Sequence, residues 1–201
     1  MKKGMIGCLG VGAALLVLVF LIAGWVMGQY NGLVRAREEV SAAWAQVENV
    51  YQRRLDLIPN LVETVKGVAE FEKETYTAVT EARAKVGQIT VTPEVLNDPD
   101  AFRKLEAAQS QLSSALSRLL AVAENYPQLK ANQNFLELQS QLEGTENRIT
   151  VERQRFNDAA RGYNTRIKTA PTNFIANIFG FRERPYFEAA PGAATAPKVE
   201  F

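Results

Sequence analysis

The first residues of the chain differ from the rest because they are almost wholly apolar. Residues 4–34 contain no charged side chain. At about 1.5 Å per helical residue, the most apolar part reaches roughly the 30 Å of a bilayer's hydrocarbon core. Trp25 and Tyr30 stand where an interfacial aromatic belt would fall. The pattern predicts one transmembrane helix over residues 5–28, after a short flank at residues 1–4.

A cleaved signal peptide is the main alternative for this segment. Such a peptide also begins with Met-Lys-Lys, but its apolar core is typically about 7 to 15 residues long and precedes a small-residue cleavage site. The run here is longer, and helical patterning resumes within a turn or two of its end. Its length therefore favours a retained anchor that holds the rest of the chain at a lipid bilayer.

Three glycines mark one side of the predicted anchor. Gly24, Gly28 and Gly32 are spaced by four and form two overlapping G-x-x-x-G matches. Glycines at this spacing let two helix backbones approach closely within a membrane. Transmembrane helices are also simply glycine-rich. We predict that these residues form an oligomerisation face and that the protein is a homo-oligomer.

Beyond the anchor, apolar residues recur at steps of three and four, the period of an amphipathic helix. The first such stretch predicts one very long helix over residues 31–86, interrupted only by Pro59. A proline inside a helix removes one hydrogen bond and commonly leaves a kink. The segment around Pro59 could also be a true break. Because the apolar stripe keeps its phase across the proline, a kinked continuous helix is favoured.

Two further helices are predicted, at about residues 99–125 and 134–168. Asp98 followed by Pro99 is a strong helix-start signal. The last helix carries a coiled-coil-like apolar pattern over four heptads. Long helices with short connections and no strand signals predict an all-α fold, with an antiparallel coiled-coil-like bundle across residues 29–170.

The end of the chain divides into two parts. Residues 171–188 combine a short amphipathic piece with an extended one, and residues 189–201 are rich in Ala, Pro and Gly and are expected to be disordered. The amphipathic piece could contact a partner or the membrane surface, or fold back on the bundle. The candidate contact residues are Phe174, Ile175, Ile178, Phe179 and Phe181.

The amino-acid composition limits the kinds of binding site and catalytic site that the chain could form. The net charge is +1, and the chain has one cysteine and no histidine. This balance predicts no nucleic-acid binding, and the absence of histidine removes the commonest metal ligand and general base. The pairs Glu70 with Glu74 and Glu143 with Glu146 each share a helix face. We interpret them as surface carboxylates and predict no metal, no cofactor and no catalytic residue.

Charged residues also cluster on the predicted helices. One cluster contains Arg53, Arg54 and Asp56, and another extends from Glu143 to Arg153. They could form ion pairs between helices or between subunits, or they could be solvated helix faces worth only tenths of a kcal/mol per pair. We favour solvated faces, except for Glu152, whose place in the apolar pattern demands a partner.

Several strings resemble the LemA family. They are RRLDLIPNLVETVKG at 53–67, ENYPQLKAN at 124–132, GTENRI at 144–149 and YN at 163–164, together with the ending around residues 180–188. The resemblance covers about residues 28–188. It implies a bacterial single-pass membrane protein with a helical bundle and no settled biochemical activity. Relatives associated with magnetosomes imply a part in membrane biogenesis or shaping.

Two functions follow as hypotheses. The first is a non-enzymatic scaffold that is anchored in the membrane, self-assembles and organises or shapes the bacterial cell envelope. The alternative is a monomeric adaptor that binds an envelope protein through its C-terminal aromatic segment. The positive charges of Lys2, Lys3 and the terminal amine slightly outnumber those of Arg35 and Arg37 on the other side of the apolar run. This count favours an inside N-terminus in the inner membrane, with the bundle outside the cytoplasm.

Overall fold

The computed structural model describes residues 2–68, 72–89 and 91–188, with side chains from residue 12 onwards. Every regular element in these ranges is a helix, which confirms the all-α prediction. The elements are α1 (Lys2–Lys66), α2 (Lys73–Gly87), a 3₁₀ helix (Pro93–Asn97), α3 (Pro99–Ala123), α4 (Pro127–Lys130), α5 (Gln133–Lys168) and α6 (Thr172–Ile178). The expected disordered tail at 189–201 lies outside the described residues.

Helix α1 is continuous over 65 residues. Residues 12–25 of this helix are exposed, and the first fully buried side chain of those described is Leu33. In the described part of the chain it is the one helix long and apolar enough to cross a membrane. The helix also continues through Pro59. Proline cannot donate to the carbonyl four residues earlier, and that Leu55 carbonyl instead accepts a hydrogen bond from Arg83 Nε at 3.1 Å.

The prediction of one helix over residues 31–86 is wrong. Helix α1 ends at Lys66, and α2 begins at Lys73 and returns along it. Arg83 lies beside Leu55 and Lys66 lies over the Tyr76 ring, so the two helices are antiparallel. The apolar period kept its phase because both helices face the same core. Gly67, a poor helix former directly after the last turn, marks the end.

The four long helices alternate in direction. Arg166 of α5 lies beside Gly32, at the start of the bundle, whereas Glu146 lies beside Arg54, so α5 is antiparallel to α1. Helix α3 is parallel to α1, because Phe102 contacts Trp44 and Ser113 contacts Arg54. The described residues therefore form an antiparallel bundle, as predicted.

Side-chain caps define the starts of α3 and α5. The Asp98 carboxylate accepts from the backbone N–H of Asp100 and Ala101, and the Asn132 side chain accepts from Asn134 and Phe135. These bonds satisfy amides that have no partner within the helix. Both helices lie within two residues of the predicted bounds.

The buried residues form two separate clusters along the bundle. The proximal core, nearest the exposed apolar part of α1, contains most of the buried aromatic residues together with aliphatic ones. Its largest members are Trp44, Tyr51, Phe102, Phe156, Tyr163 and Phe187. The distal core is mostly aliphatic, and includes Ile58, Leu61, Leu112, Leu119, Leu129 and Leu142. Polar side chains of α1, α3 and α5 lie between the two cores.

Candidate functional site

A buried arginine joins three helices between the two cores. Arg54 is 1% exposed. Its guanidinium donates to Glu146 Oε1 and to Ser113 Oγ, each at 2.8 Å, and to the Gln109 side-chain oxygen. Hydrogen bonds with a charged member are roughly twice as strong as neutral ones. We call these four residues the polar layer; it links α1 to α3 and α5 and fixes their register.

A second ion pair is half-buried at the edge of the proximal core. Arg153 of α5 donates to Glu106 of α3 at 2.5 Å, and its guanidinium lies 4.3 Å from the centre of the Phe187 ring. Tyr51 lies close to both ion pairs. Burial raises the pKa of the Tyr51 hydroxyl to about 12, although the charges of Arg153 and Arg54 oppose the rise. Tyr51 therefore stays neutral at physiological pH.

The interpretation of the charged clusters as solvated faces is wrong for Arg54 and Glu146. The sequence shows the charges but not that Arg54 points inward, because Arg53 beside it is equally charged and is exposed. The burial of Arg54 could have been inferred from its position, because it lies between Tyr51 and Ile58 on the buried face of α1. Glu152 has a partner, but the partner is on its own helix: Glu152 accepts from the exposed Arg155, three residues further along α5, at 2.8 Å.

The glycine face of α1 is open in the single chain. Gly24 and Gly28 are exposed and Gly32 is half-buried, and a Cβ atom built at any of the three would meet nothing within 4 Å. Close approach of a second helix backbone is therefore sterically possible. Self-association through this face stays a prediction.

Helix α6 is attached to α1 where its exposed apolar part ends. Thr172 Oγ1 donates to Gln29 Oε1 at 3.0 Å. The Tyr30 ring lies 4.9 Å from the Phe179 ring and 5.7 Å from the Phe181 ring. Both contacts fix α6 at the end of the bundle that adjoins the predicted anchor.

The five candidate contact residues of this segment do not share one environment. Ile175 is 4% exposed and belongs to the proximal core, so it is unavailable to a partner; this part of the expectation is wrong. Phe181 is half-buried against the same core. Phe174, Ile178 and Phe179 are 65%, 77% and 52% exposed. The helical period explains why Phe174 and Ile178 are exposed, because they share a face that Ile175 does not. Phe179 follows the last helical residue, so the helical period does not place it.

Two asparagines on α5 hold the extended segment that follows α6. Asn164 donates to the Arg184 carbonyl and accepts from its backbone N–H, at 2.8 and 2.9 Å. Asn157 makes the same pair of bonds with Phe187, both at 2.9 Å. The side chains thus imitate a neighbouring β-strand, and Phe187 is inserted among Trp44, Phe102 and Phe156. Sequence analysis did not identify this contact.

The carboxylates considered as metal ligands have other surroundings. Glu146 is bound to Arg54, and Glu143 accepts from Gln139 at 3.0 Å on the exposed face of α5. Glu70 lies outside the described residues. Within the described part of the chain, no group of three or more acidic, cysteine or histidine side chains could hold a metal ion. The charged and polar side chains described above therefore contribute to the packing and register of the helices. The exposed apolar residues of α6 form an apolar surface at one end of the bundle.

Fold and site together define a class: a helical-bundle protein whose first helix continues into an apolar segment able to cross a membrane. Comparison with known families agrees with this class. The sequence pattern of the LemA family matches residues 43–201, which is most of the chain. The chain belongs to the LemA family.

Named relatives resemble the chain over most of its length. Magnetosome protein MamQ 2 of Paramagnetospirillum magneticum is 29% identical over 209 residues, covering 96% of this chain and 76% of the relative. Magnetosome protein MamQ of Magnetospirillum gryphiswaldense is 29% identical over 198 residues, covering 90% and 72%. Protein LemA of Metamycoplasma hominis is 26% identical over 164 residues, covering 82% and 71%.

Proposed function

We propose that this protein is a non-enzymatic scaffold of the bacterial inner membrane that self-assembles through its single membrane-spanning helix and organises or shapes the cell envelope. The observation that carries the proposal is the open glycine face on α1, on a helix whose most apolar stretch is left unburied by the residues that the structure describes. In a membrane, such a face is an efficient site of helix association.

The bundle supports a scaffolding role because α1 connects it rigidly to the anchor. The same helix supplies the glycine face and the first strip of the proximal core, so no linker separates assembly from the bundle. The polar layer then fixes α3 and α5 on that helix. The resemblance to magnetosome proteins MamQ is consistent with a task at a bacterial membrane.

The test is the molar mass of the full-length protein in detergent, measured by light scattering during size-exclusion chromatography. We expect the unaltered chain to be an oligomer. The double variant Gly24→Ile and Gly28→Ile fills the open face with branched side chains, so we expect its mass to fall toward that of one chain.

Ala23→Ile is the matched control, because residue 23 is exposed on the same helix but is turned about 100° away from Gly24. It should leave the mass unchanged. A monomeric unaltered chain at every concentration would overturn the proposal of self-assembly. An oligomer that survives the double glycine substitution would overturn the assignment to this face.

A further inference from the structure

An apolar triplet lies beside the predicted anchor: two of its residues are on α6 and the third, Phe179, directly follows the helix. Phe174, Ile178 and Phe179 are all more than half exposed, although α6 has only seven residues. Ile175 and Ala176 of the same helix are buried, so the inner face is already used for packing. The outer face therefore presents Phe174 and Ile178, large side chains that water solvates poorly. Phe179 adds to this surface with the part of its ring that the Tyr30 ring leaves exposed.

The place of the triplet along α1 indicates what covers it. If residues 5–28 cross the hydrocarbon core at about 1.5 Å per residue, then Gln29 and Tyr30 lie at its boundary. These two residues are the ones that hold α6, through the bond from Thr172 and the contact with the Phe179 ring. The triplet is therefore at the level of the lipid headgroups, at which amphipathic helices bind.

The charges around this boundary favour lipid headgroups. Arg35 donates to the Asn31 carbonyl, and Arg166 donates to the Gly32 carbonyl at 3.3 Å, so both guanidiniums lie within about two turns of Tyr30. Both arginines are exposed. Lys168 lies at the end of α5 and is paired with Glu183. Exposed arginines next to an apolar surface suit anionic phosphates.

The size of the triplet argues against a protein partner. One large side chain buries at most about 250 Å², so three supply less than the roughly 800 Å² per partner of a stable protein interface. A bilayer needs no such area here, because α1 already holds the triplet at the surface and the cost of association is met once by the anchor.

We propose that α6 is a second membrane contact, in which Phe174, Ile178 and Phe179 insert into the headgroup region of the bilayer and fix the base of the bundle against it. This inference rests on the membrane anchoring assumed in the proposed function. It adds a contact that holds the bundle upright, because a helix fixed at two points on a surface cannot tilt freely.

The test uses the full-length chain with Cys8→Ser, reconstituted in vesicles of zwitterionic and anionic phospholipid. A polarity-sensitive fluorophore is attached to one introduced cysteine at a time, in Ile178→Cys and in Phe174→Cys. Lipids carrying a nitroxide near the headgroup or near the bilayer centre report depth by quenching. We expect both probes to be quenched several-fold more strongly by the shallow nitroxide than by the deep one.

Two further positions make the result decisive. Leu136→Cys is the matched control: Leu136 is exposed and apolar but lies at the opposite end of α5, and its probe should not be quenched. Leu18→Cys reports the anchor itself and should be quenched by the deep nitroxide. Quenching at residue 18 without quenching at residues 174 and 178 would overturn the second contact alone.

Loss of quenching at residue 18 as well would overturn the anchoring on which both proposals rest. A triplet that binds a protein partner, as in the adaptor hypothesis, would leave the probes at residues 174 and 178 as unquenched as the one at 136. That outcome also contradicts insertion into lipid.

Discussion

At the residue scale, Arg54 and its neighbour Arg53 have opposite roles despite identical chemistry. Arg53 is exposed, whereas Arg54 is enclosed by α1, α3 and α5 and makes three hydrogen bonds to side chains of the other two helices. A buried ion pair is weak evidence for stability in itself, but breaking one is costly because the remaining partner is left unpaired. We therefore expect the Arg54–Glu146 pair mainly to disfavour alternative alignments of α1, α3 and α5, in which Arg54 would be buried without its partners.

Removal of the Arg54 side chain should strongly destabilise the bundle. Arg54→Ala leaves the buried Gln109 side chain without its donor, whereas the partly exposed Glu146 carboxylate becomes solvated by water. We expect a loss of about 2 to 3 kcal/mol in the free energy of unfolding. Arg53→Ala should change it by less than about 0.5 kcal/mol, since its side chain is at the surface. Denaturant unfolding of the full-length protein, followed by circular dichroism, compares the two. Equal losses would contradict a special role for Arg54.

The residue types of the polar layer could be read from the sequence, but their meeting could not. Arg54 and Glu146 are 92 residues apart and Arg54 and Gln109 are 55 apart, so their contact depends on how α3 and α5 are placed along α1. Periodicity places Arg54 on the buried side of its helix, which is the one local signal. A burial argument made from that position would have outweighed the general expectation of exposed charges.

At the element scale, the extended segment after α6 depends on side chains for its backbone hydrogen bonds. Asn157 and Asn164 are seven residues apart on α5 and present their amides at the same face, two helical turns from each other. The two amides bind the backbone three residues apart, at Arg184 and Phe187. A helix can thereby hold a strand-like segment without a sheet.

Substitution of both asparagines should release this segment. Asn157→Ala with Asn164→Ala removes the acceptors of the Arg184 and Phe187 amides, and a typical hydrogen bond contributes about 1 kcal/mol. We expect hydrogen exchange of these two amides to accelerate by roughly tenfold or more. Asn147→Ala is the control, because Asn147 is exposed on the same helix. Unchanged protection would mean that the packing of Phe187 alone holds the segment.

The elements themselves were predicted well wherever a local signal marked their ends. Asp98 followed by Pro99 predicted the start of α3, and α3 begins directly after Asp98. For α5 the sequence offers two asparagines, Asn132 and Asn134, and the structure uses Asn132 as the cap. The reversal after Lys66 was missed because a helix pair facing one core has the same apolar period as a single helix. A periodic apolar pattern shows which face of a helix is buried. It does not show where the chain reverses direction, which has to be inferred from helix-breaking residues such as Gly67.

At the scale of the whole molecule, we predict from charge the side of the membrane on which the bundle lies. Lys2 and Lys3 favour a cytoplasmic N-terminus, because basic residues near a membrane-spanning helix are retained inside. In a Cys8→Ser background, Glu94→Cys places a thiol on the exposed 3₁₀ helix. A maleimide that cannot cross the inner membrane should label this variant in intact cells.

Lys3→Cys provides the reciprocal position, and its thiol should react only after the inner membrane is opened. The reverse pattern of labelling would place the bundle in the cytoplasm and would show that Arg35 and Arg37 dominate the orientation. Equal labelling of both variants before and after opening would contradict a single-pass arrangement.

Because α1 is continuous, it also transmits the orientation of the membrane-spanning part to the far end of the bundle. Any angle between two neighbouring anchors is passed on unchanged to the far end of each bundle, some 40 residues beyond Gly24. Glycine-faced helices commonly cross at about 40°, and an arm of roughly 60 Å would then separate the two tips by on the order of 40 Å. In a pair of chains, the two bundles would then diverge with distance from the membrane. The helix crossing angle at the glycine face would set the distance between their far ends.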